Sequence, residues 1–338
     1  MRQVGIAVVG CGYWGPNLIR NFIEEPRTRV YWVCDLDENK LAPIRRRYPF
    51  VRTTTRFEDV LSDNEVEAVA IATPVQTHHR LARATLLAGK HVLVEKPLAD
   101  QVALAEDLVE QAQRCERLLM VDHTFVYTGA VRHLKKLYDD GWLGDLWYID
   151  SVRINLGLFQ HDINVVWDLA PHDLSIVTHL LGKDPETVHA TGACHTGNHV
   201  EDVAYLTLDF GNQLLAHFHV NWLSPVKVRH MIFGGSDRMV IYNDLEPSEK
   251  LRIYDRGIEV KADNREGVYN LLVSYRSGDM WVPALDGTEA LKVEIGHFLD
   301  CIECGEQPIT NGEVGLRVVR ILEAAQMSIK AGGKRVAL

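Results

Sequence analysis

The stretch VVGCGYWG, residues 8–15, decides the fold. An apolar run, VGIAVV at 4–9, leads directly into Gly10, Gly12 and Gly15 in the spacing G-x-G-x-x-G, and a helical pattern opens at residue 15. Each glycine has its own physical reason. The first permits a tight turn, the second lets backbone approach a pyrophosphate, and the third lets helix and strand pack closely. Phosphates would then face the unpaired N–H groups and positive dipole end of a helix. Three glycines alone mark any tight turn. The strand-to-helix setting narrows the reading, as does Asp35, twenty residues after Gly15 at the end of the next apolar run.

Working outward, further apolar runs at 30–34, 67–72, 91–94 and 118–121 alternate with helical patterns at 15–24, 38–47, 57–61, 76–89 and 101–116. Continuous apolar strands alternating with helices predict a doubly wound parallel sheet covered on both faces. After residue 122 the texture changes. A helix at 129–140 precedes alternating runs at 145–156, 187–194, 201–210, 213–221, 226–233 and 238–242, with Gly211-Asn212 as a hairpin signal. The tail, 290–330, returns to helix. The expected architecture is α/β: a dinucleotide-binding domain at 1–122, then an α/β domain at 123–338 with a large open, mainly antiparallel sheet.

Bulk properties exclude other classes. The 338 residues are 46% hydrophobic and 24% charged, the composition of an ordinary soluble protein of about two domains. A formal charge of −10 argues against nucleic acid or an anionic membrane surface as partner. No apolar run reaches the roughly 18 residues of a membrane span, and the N-terminal run enters glycines rather than a cleavage site. Six cysteines over this length suggest no disulfide framework, and a cytoplasmic location is expected. Cys301 and Cys304 read as structural thiols on a helix. His217 and His219, on one face of a strand, lack a ligand set, so no metal is expected.

Two further features carry chemistry. HVLVEKPLA, 91–99, ends an apolar strand with Glu95, Lys96 and Pro97. Ligands of open α/β sheets bind beyond the carboxyl ends of strands, and Pro97 biases Lys96 toward an extended conformation and allows a cis bond. The alternative is a surface lysine at a strand end. VVWDLAPHDLSIVTHLL, 165–181, places Asp168, His172, Asp173 and Pro171 inside an apolar helical pattern. Asp168 and His172 share a helix face, and an imidazole suits removal of a hydroxyl proton. Alternatively Asp168 is only a helix cap, or Pro171 is the first helical residue with Asp173 a favourable charge in the first turn.

Together, the glycine turn, the E-K-P after the fifth strand and the D-x-x-x-H of the second half resemble the Gfo/Idh/MocA oxidoreductase family over essentially the whole chain. The resemblance implies NAD(P)-dependent hydride transfer at a sugar or cyclitol carbon. Lys96, Asp168 and His172 match the family's active-site lysine, aspartate and histidine. The expected catalytic groups are therefore His172 as acid/base, Lys96 on the reacting oxygen, and Asp168 orienting His172 or a neighbouring hydroxyl. Expected on the cofactor side are Gly10, Gly12, Tyr13, Trp14, Gly15, Asp35, Thr73, Pro74, His78, Glu95 and Lys96. Asp35 would repel a 2′-phosphate and Leu36 is not an arginine, so NAD(H) is expected over NADP(H). Arg45, Arg46 and Arg47 read as a solvated helix end, with one able to reach a phosphate.

Many relatives place glycines around the D-x-x-x-H, where this chain has INVVWDLAPHDL, leaving Trp167 to shape a pocket and the loop 156–166 to wall it. Similar members with a G-Y-W-G opening and E-K-P-L-A often act on nucleotide-linked sugars at C3, so the resemblance favours that substrate. Arg153, Lys227 and Arg229 either meet its diphosphate or a carboxylate, or face solvent as alternating strand charges. A free sugar or inositol is the alternative, and a non-catalytic dinucleotide sensor is the alternative of another class. The resemblance also implies a homodimer or homotetramer, in which the open sheet finds its partner.

Overall fold

The continuous apolar runs of the first third pair as parallel strands because both of their faces find cover. The structure, a computed structural model, describes residues 2–157, 163–197, 200–255, 257–261, 272–276 and 278–338. Strands β1 (Val4–Val9), β2 (Thr28–Cys34), β3 (Arg52–Thr54), β4 (Ala68–Ile71), β5 (His91–Glu95) and β6 (Leu119–Asp122) form a sheet in the order β3-β2-β1-β4-β5-β6, parallel throughout. Helices α1 (Gly15–Glu24), α2 (Glu38–Arg47), α3 (Phe57–Ser62), α4 (Val75–Leu87) and α5 (Val102–Cys115) connect them. Every residue of β1 and β4 is buried, which is why neither alternates. Strand order reverses between β1 and β4, and the crevice at such a switch point is where ligands bind. Only β3 escapes a hydrophobic reading, since Arg-Thr-Thr at a sheet edge has no apolar face to announce it.

The second sheet is built from alternating strands. After α6 (Gly129–Asp139) come β7 (Leu146–Leu156), α7 (Val165–Leu181), β8 (Thr187–Ala193), β9 (Val203–Asp209), β10 (Leu215–Asn221), β11 (Leu223–Gly235), β12 (Met239–Asn243) and β13 (Leu251–Tyr254). They are followed by β14 (Gly257–Lys261), β15 (Leu272–Arg276), β16 (Met280–Trp281), α8 (Ala290–Cys304), α9 (Gly312–Lys330) and β17 (Val336–Ala337). Nine strands run β16-β13-β12-β11-β7-β10-β9-β8-β17, and β14 pairs only with β15. Within the nine, β7 and β10 are parallel and every other pair is antiparallel. On β10, Ala216, Phe218 and Val220 are buried while His217 and His219 face the other side. The β9–β10 hairpin turns through Gly211 and Asn212, both at positive φ, as the Gly-Asn pair predicts.

The chain divides into two compact units. One comprises Met1–Thr128, Leu174–His179 and Thr288–Glu323, the other Gly129–Asp173, Leu180–Gly287 and Ala324–Leu338. A linear division at residue 122 therefore misses the return of the C-terminal segment to the first unit. Leu291, Ile295, Phe298 and Leu299 of α8 complete the core around Ile6, Leu18 and Phe22. An amphipathic stripe shows that a helix needs cover but not which sheet supplies it. The helical tail is likewise two helices, broken after Gly305, which takes the left-handed conformation that ends α8. Cys301 is buried on α8 with its thiol pushed up to about 11, chiefly by burial, and Cys304 is exposed at the helix end. No helix among the described residues is long and apolar enough to cross a membrane.

Candidate active site

In the first unit, the three glycines behave differently, each as its place in the turn requires. Gly10 has φ +99°, and a Cβ there would lie 2.3 Å from the Ala72 carbonyl oxygen. A Cβ on Gly15 would lie 2.0 Å from the Gly10 carbonyl, so this glycine packs helix against turn. A Cβ on Gly12 would meet no protein atom within 4 Å. Gly12 thus presents backbone to open space, as close approach of a pyrophosphate demands. Helix α1 starts with no side-chain cap and no acidic residue in its first turn, which suits an anion there.

Asp35 stands over this turn. Its Oδ2 accepts the Cys11 N–H at 2.6 Å and its Oδ1 accepts the Asp37 N–H at 2.9 Å. The carboxylate is therefore held by two backbone donors at the end of β2. Cys11 and Cys34 beside it are poor nucleophiles, since burial, and secondarily the Asp35 charge, pushes both thiols up to about 12. Leu36 and Tyr13 are exposed. Trp14 is half-buried, and its indole N–H donates to Asp122 Oδ2 at 2.7 Å. Arg45, Arg46 and Arg47 occupy the last turn of α2 and are exposed, with Arg45 paired to Glu38.

The other residues expected on the cofactor side lie after β4, in the first turn of α4, and around the end of β5. Thr73 Oγ1 bonds Thr77 Oγ1 at 2.7 Å, and Pro74 precedes α4. His78 is buried, with Nε2 2.7 Å from the Thr73 carbonyl and Nδ1 2.9 Å from the Pro97 carbonyl. The imidazole ties the two segments together; burial lowers its pKa while both carbonyls pull it up. Glu95 pairs with Asp122 across β5 and β6, and Lys96 follows half-buried, joined to Pro97 by a cis peptide bond.

In the second unit, Asp168 and His172 lie one turn apart on α7, both half-buried. The N-cap of this helix is Asn164, whose Oδ1 accepts the Trp167 N–H at 3.1 Å. Neither cap reading of the sequence survives this, because Asp168 is already inside the helix and Pro171 lies in its interior. In the sequence, Asn164 before the apolar run is the capping signal, and Pro171 is a competing start signal further along. Pro171 removes the bond its N–H would make to the Trp167 carbonyl.

Asp168 Oδ2 accepts the Trp222 indole N–H at 3.0 Å. Asp173 is structural: it takes Arg153 through Nε and Nη2, the latter at 2.6 Å, and the Ser151 hydroxyl at 2.9 Å. Arg153 is 2% exposed and committed to this pair, so it is no substrate ligand. Arg229 pairs with Asp244 at 3.1 Å, and Lys227 is exposed. Trp167 is buried. Of the loop expected to wall the site, residues 158–162 lie outside the described residues. His219 stacks on Tyr205 with centroids 4.5 Å apart, and His217 approaches the Thr207 hydroxyl at 3.2 Å.

These features define a dinucleotide-binding oxidoreductase fold, and comparison with known proteins agrees. Residues 4–123 match the family model described as "Oxidoreductase family, NAD-binding Rossmann fold", and residues 131–241 match the GFO/IDH/MocA C-terminal domain. The chain belongs to the GFO/IDH/MocA oxidoreductase family. It is 27% identical to a UDP-N-acetylglucosamine 3-dehydrogenase of Acidithiobacillus ferrooxidans over 79% of this chain and 80% of that one. A solved structure of that dehydrogenase aligns with a TM-score of 0.81 at 24% identity, covering 98% of this chain and 99% of that one. The chain is 25% identical to a scyllo-inositol 2-dehydrogenase (NADP(+)) of Bacillus subtilis, with 97% and 92% covered. It is 26% identical to a 2,7-anhydro-N-acetylneuraminate hydratase of Mediterraneibacter gnavus, with 86% and 78% covered.

Proposed function

We propose that this protein transfers a hydride between NAD(H) and a secondary alcohol or ketone carbon of a sugar, foremost C3 of a nucleotide-linked hexose. The observation that carries the reading is the Asp168–His172 pair, half-buried on one continuous helix with Asp168 held by the Trp222 indole. A helix interior has no capping need for either side chain, so the pair calls for a chemical explanation.

Bound NAD supplies the hydride acceptor. The chain's own residues handle the proton and the charge. His172 takes the hydroxyl proton as hydride leaves the carbinol carbon, and returns it in the reverse direction. The Lys96 ammonium hydrogen-bonds the reacting oxygen and stabilises negative charge developing there. Asp168 orients His172 or binds an adjacent hydroxyl. Asp35 accepts the ribose hydroxyls of the adenosine and repels a 2′-phosphate, which favours NAD(H) over NADP(H). Tyr13, Trp14, Gly10, Gly12, Gly15, Thr73, Pro74, His78 and Glu95 complete the cofactor side, with His78 acting through the two carbonyls it holds.

We further propose self-association through the open face of the large sheet. Tyr148, Tyr205 and Leu215 share that face and are 39%, 44% and 46% exposed, apolar surface that a second copy would remove from water. Sedimentation of the purified protein as a monomer at micromolar concentration would refute it.

The test is turnover with NAD+ and NADP+ across free sugars, inositols and nucleotide sugars. Expected is net NADH formation with a nucleotide sugar, lost by at least about 100-fold in Lys96→Ala and His172→Ala. Full turnover in both variants would sink the mechanism. Sugar consumed without net NADH would place the activity with the hydratase relative. NADH binding with no turnover on any substrate would mark a sensor.

A further inference from the structure

Beneath the glycine turn the first unit buries ionisable groups that the chemistry above does not use. Asp122, at the end of β6, and Glu294, on α8, are 1% and 0% exposed. Asp122 receives two donors: the Trp14 indole N–H at 2.7 Å on Oδ2 and the Thr124 hydroxyl on Oδ1. Neither Glu294 oxygen has a hydrogen-bond partner among the described residues, and the polar side chains closest to acting on it are Asp122 and Thr124. Thr124 lies near both carboxyls but has one hydroxyl proton, which goes to Asp122.

Two adjacent carboxylates out of water cannot both ionise. Burial holds both above the usual carboxylate range, Glu294 well above it. The donors decide which one keeps the charge, because hydrogen bonds from N–H and O–H favour the ionised form. Lys96 favours ionised Asp122, and Glu95 disfavours ionised Glu294. His123 contributes no countercharge: burial, then Lys96, pushes its imidazole down to about 3.

We infer that Asp122 and Glu294 share one proton, held on Glu294, and that the charge on Asp122 fixes Trp14 and thereby the glycine turn for the dinucleotide. Trp14 immediately precedes α1, and its carbonyl accepts the Asn17 N–H at 2.9 Å. Anchoring the indole therefore sets the direction of the first helical N–H groups, those that face a phosphate. Trp14, Asp122 and Glu294 are positioning residues for cofactor binding, an assignment that rests on the dinucleotide reading of the turn.

The test measures NADH dissociation constants, and the shift in melting temperature that NADH produces, for the wild type, Trp14→Phe, Asp122→Asn and the double variant. Each single change is expected to weaken NADH about 10-fold, the size of one charge-assisted hydrogen bond. The double variant should lose no more than either single one, since both cut the same contact. KM for the dinucleotide should rise while kcat at saturating cofactor moves far less. Infrared spectra at neutral pH should show the carbonyl stretch of a buried carboxylic acid, absent in Glu294→Gln. Trp14→Phe and the infrared band keep the test decisive if Asp122→Asn does not fold. Wild-type binding that Trp14→Phe leaves unchanged, additive losses, or a band surviving in Glu294→Gln would each overturn the inference alone. Failure of the wild type to bind NADH would overturn the dinucleotide reading and this inference with it.

Discussion

The Trp222 indole N–H donates to Asp168 Oδ2 at 3.0 Å, joining the first residue after β10 to the first turns of α7. Trp222 is fully buried, so its indole is a fixed donor rather than one that wanders. Losing it takes a fixed donor away from the carboxylate. Trp222→Phe is expected to lower kcat by about 10-fold while leaving NADH affinity intact, the cost of one misplaced hydrogen-bonded group. Stopped-flow hydride transfer checks this, and an unchanged rate would separate Trp222 from the chemistry.

The glycines of the turn are expected to fail in different ways. Gly10→Ala adds a Cβ 2.3 Å from the Ala72 carbonyl at a positive φ, and should destabilise the fold by about 1–3 kcal/mol. Gly12→Ala adds a Cβ that meets no protein atom within 4 Å. It should keep the stability to within about 1 kcal/mol yet weaken NADH at least about 10-fold, because the new methyl occupies the space of the pyrophosphate. Urea unfolding and NADH titration of the two variants separate these effects.

Removing one partner of the Arg153–Asp173 pair leaves a buried charge without its counterion. Both side chains are 3% exposed, so solvent screening does not soften the loss. Arg153→Leu and Asp173→Asn should each cost about 3–5 kcal/mol. An unfolding midpoint unchanged in either variant would show that the pair is not held as described.

Stability should depend on pH with two opposing signs. His91 and His123 have folded pKa values pushed down to about 4 and about 3, chiefly by burial. The unfolded state then binds more protons below about pH 6.5, so each histidine removes up to about 1.4 kcal/mol per pH unit as the solution is acidified. Glu294 acts oppositely. Its folded pKa is raised, so its contribution is full below the unfolded value and lost as pH rises. Glu294→Gln should therefore gain stability relative to the wild type between pH 5 and 8, whereas His123→Phe should flatten the acid limb. Denaturation at pH 5, 7 and 8 reads both, and a Glu294→Gln difference independent of pH would show that Glu294 is ionised.

Two kinds of residue were hard to read from the chain alone. Arg153 alternates on a strand as a solvent-facing or ligand-facing charge would, and only the fold reveals Asp173 opposite it. Asp122 follows an apolar run just as Asp35 does, yet one is held by backbone donors over the glycine turn and the other is buried against Trp14 and Glu294. Position at the carboxyl end of a strand marks both as candidates but does not distinguish them.

By itself the sequence determined the parallel sheet, the hairpin at Gly211, the glycine turn and the helical spacing of Asp168 and His172. Each follows from periodicity or from a backbone conformation that few residues tolerate, and such properties are local. Tertiary structure alone decided that 288–323 rejoin the first unit and that Arg153 and Asp122 have buried partners. Burial and pairing depend on residues distant in the chain, 20 positions apart for Arg153 and Asp173 and 108 for Trp14 and Asp122, and no local pattern carries that distance.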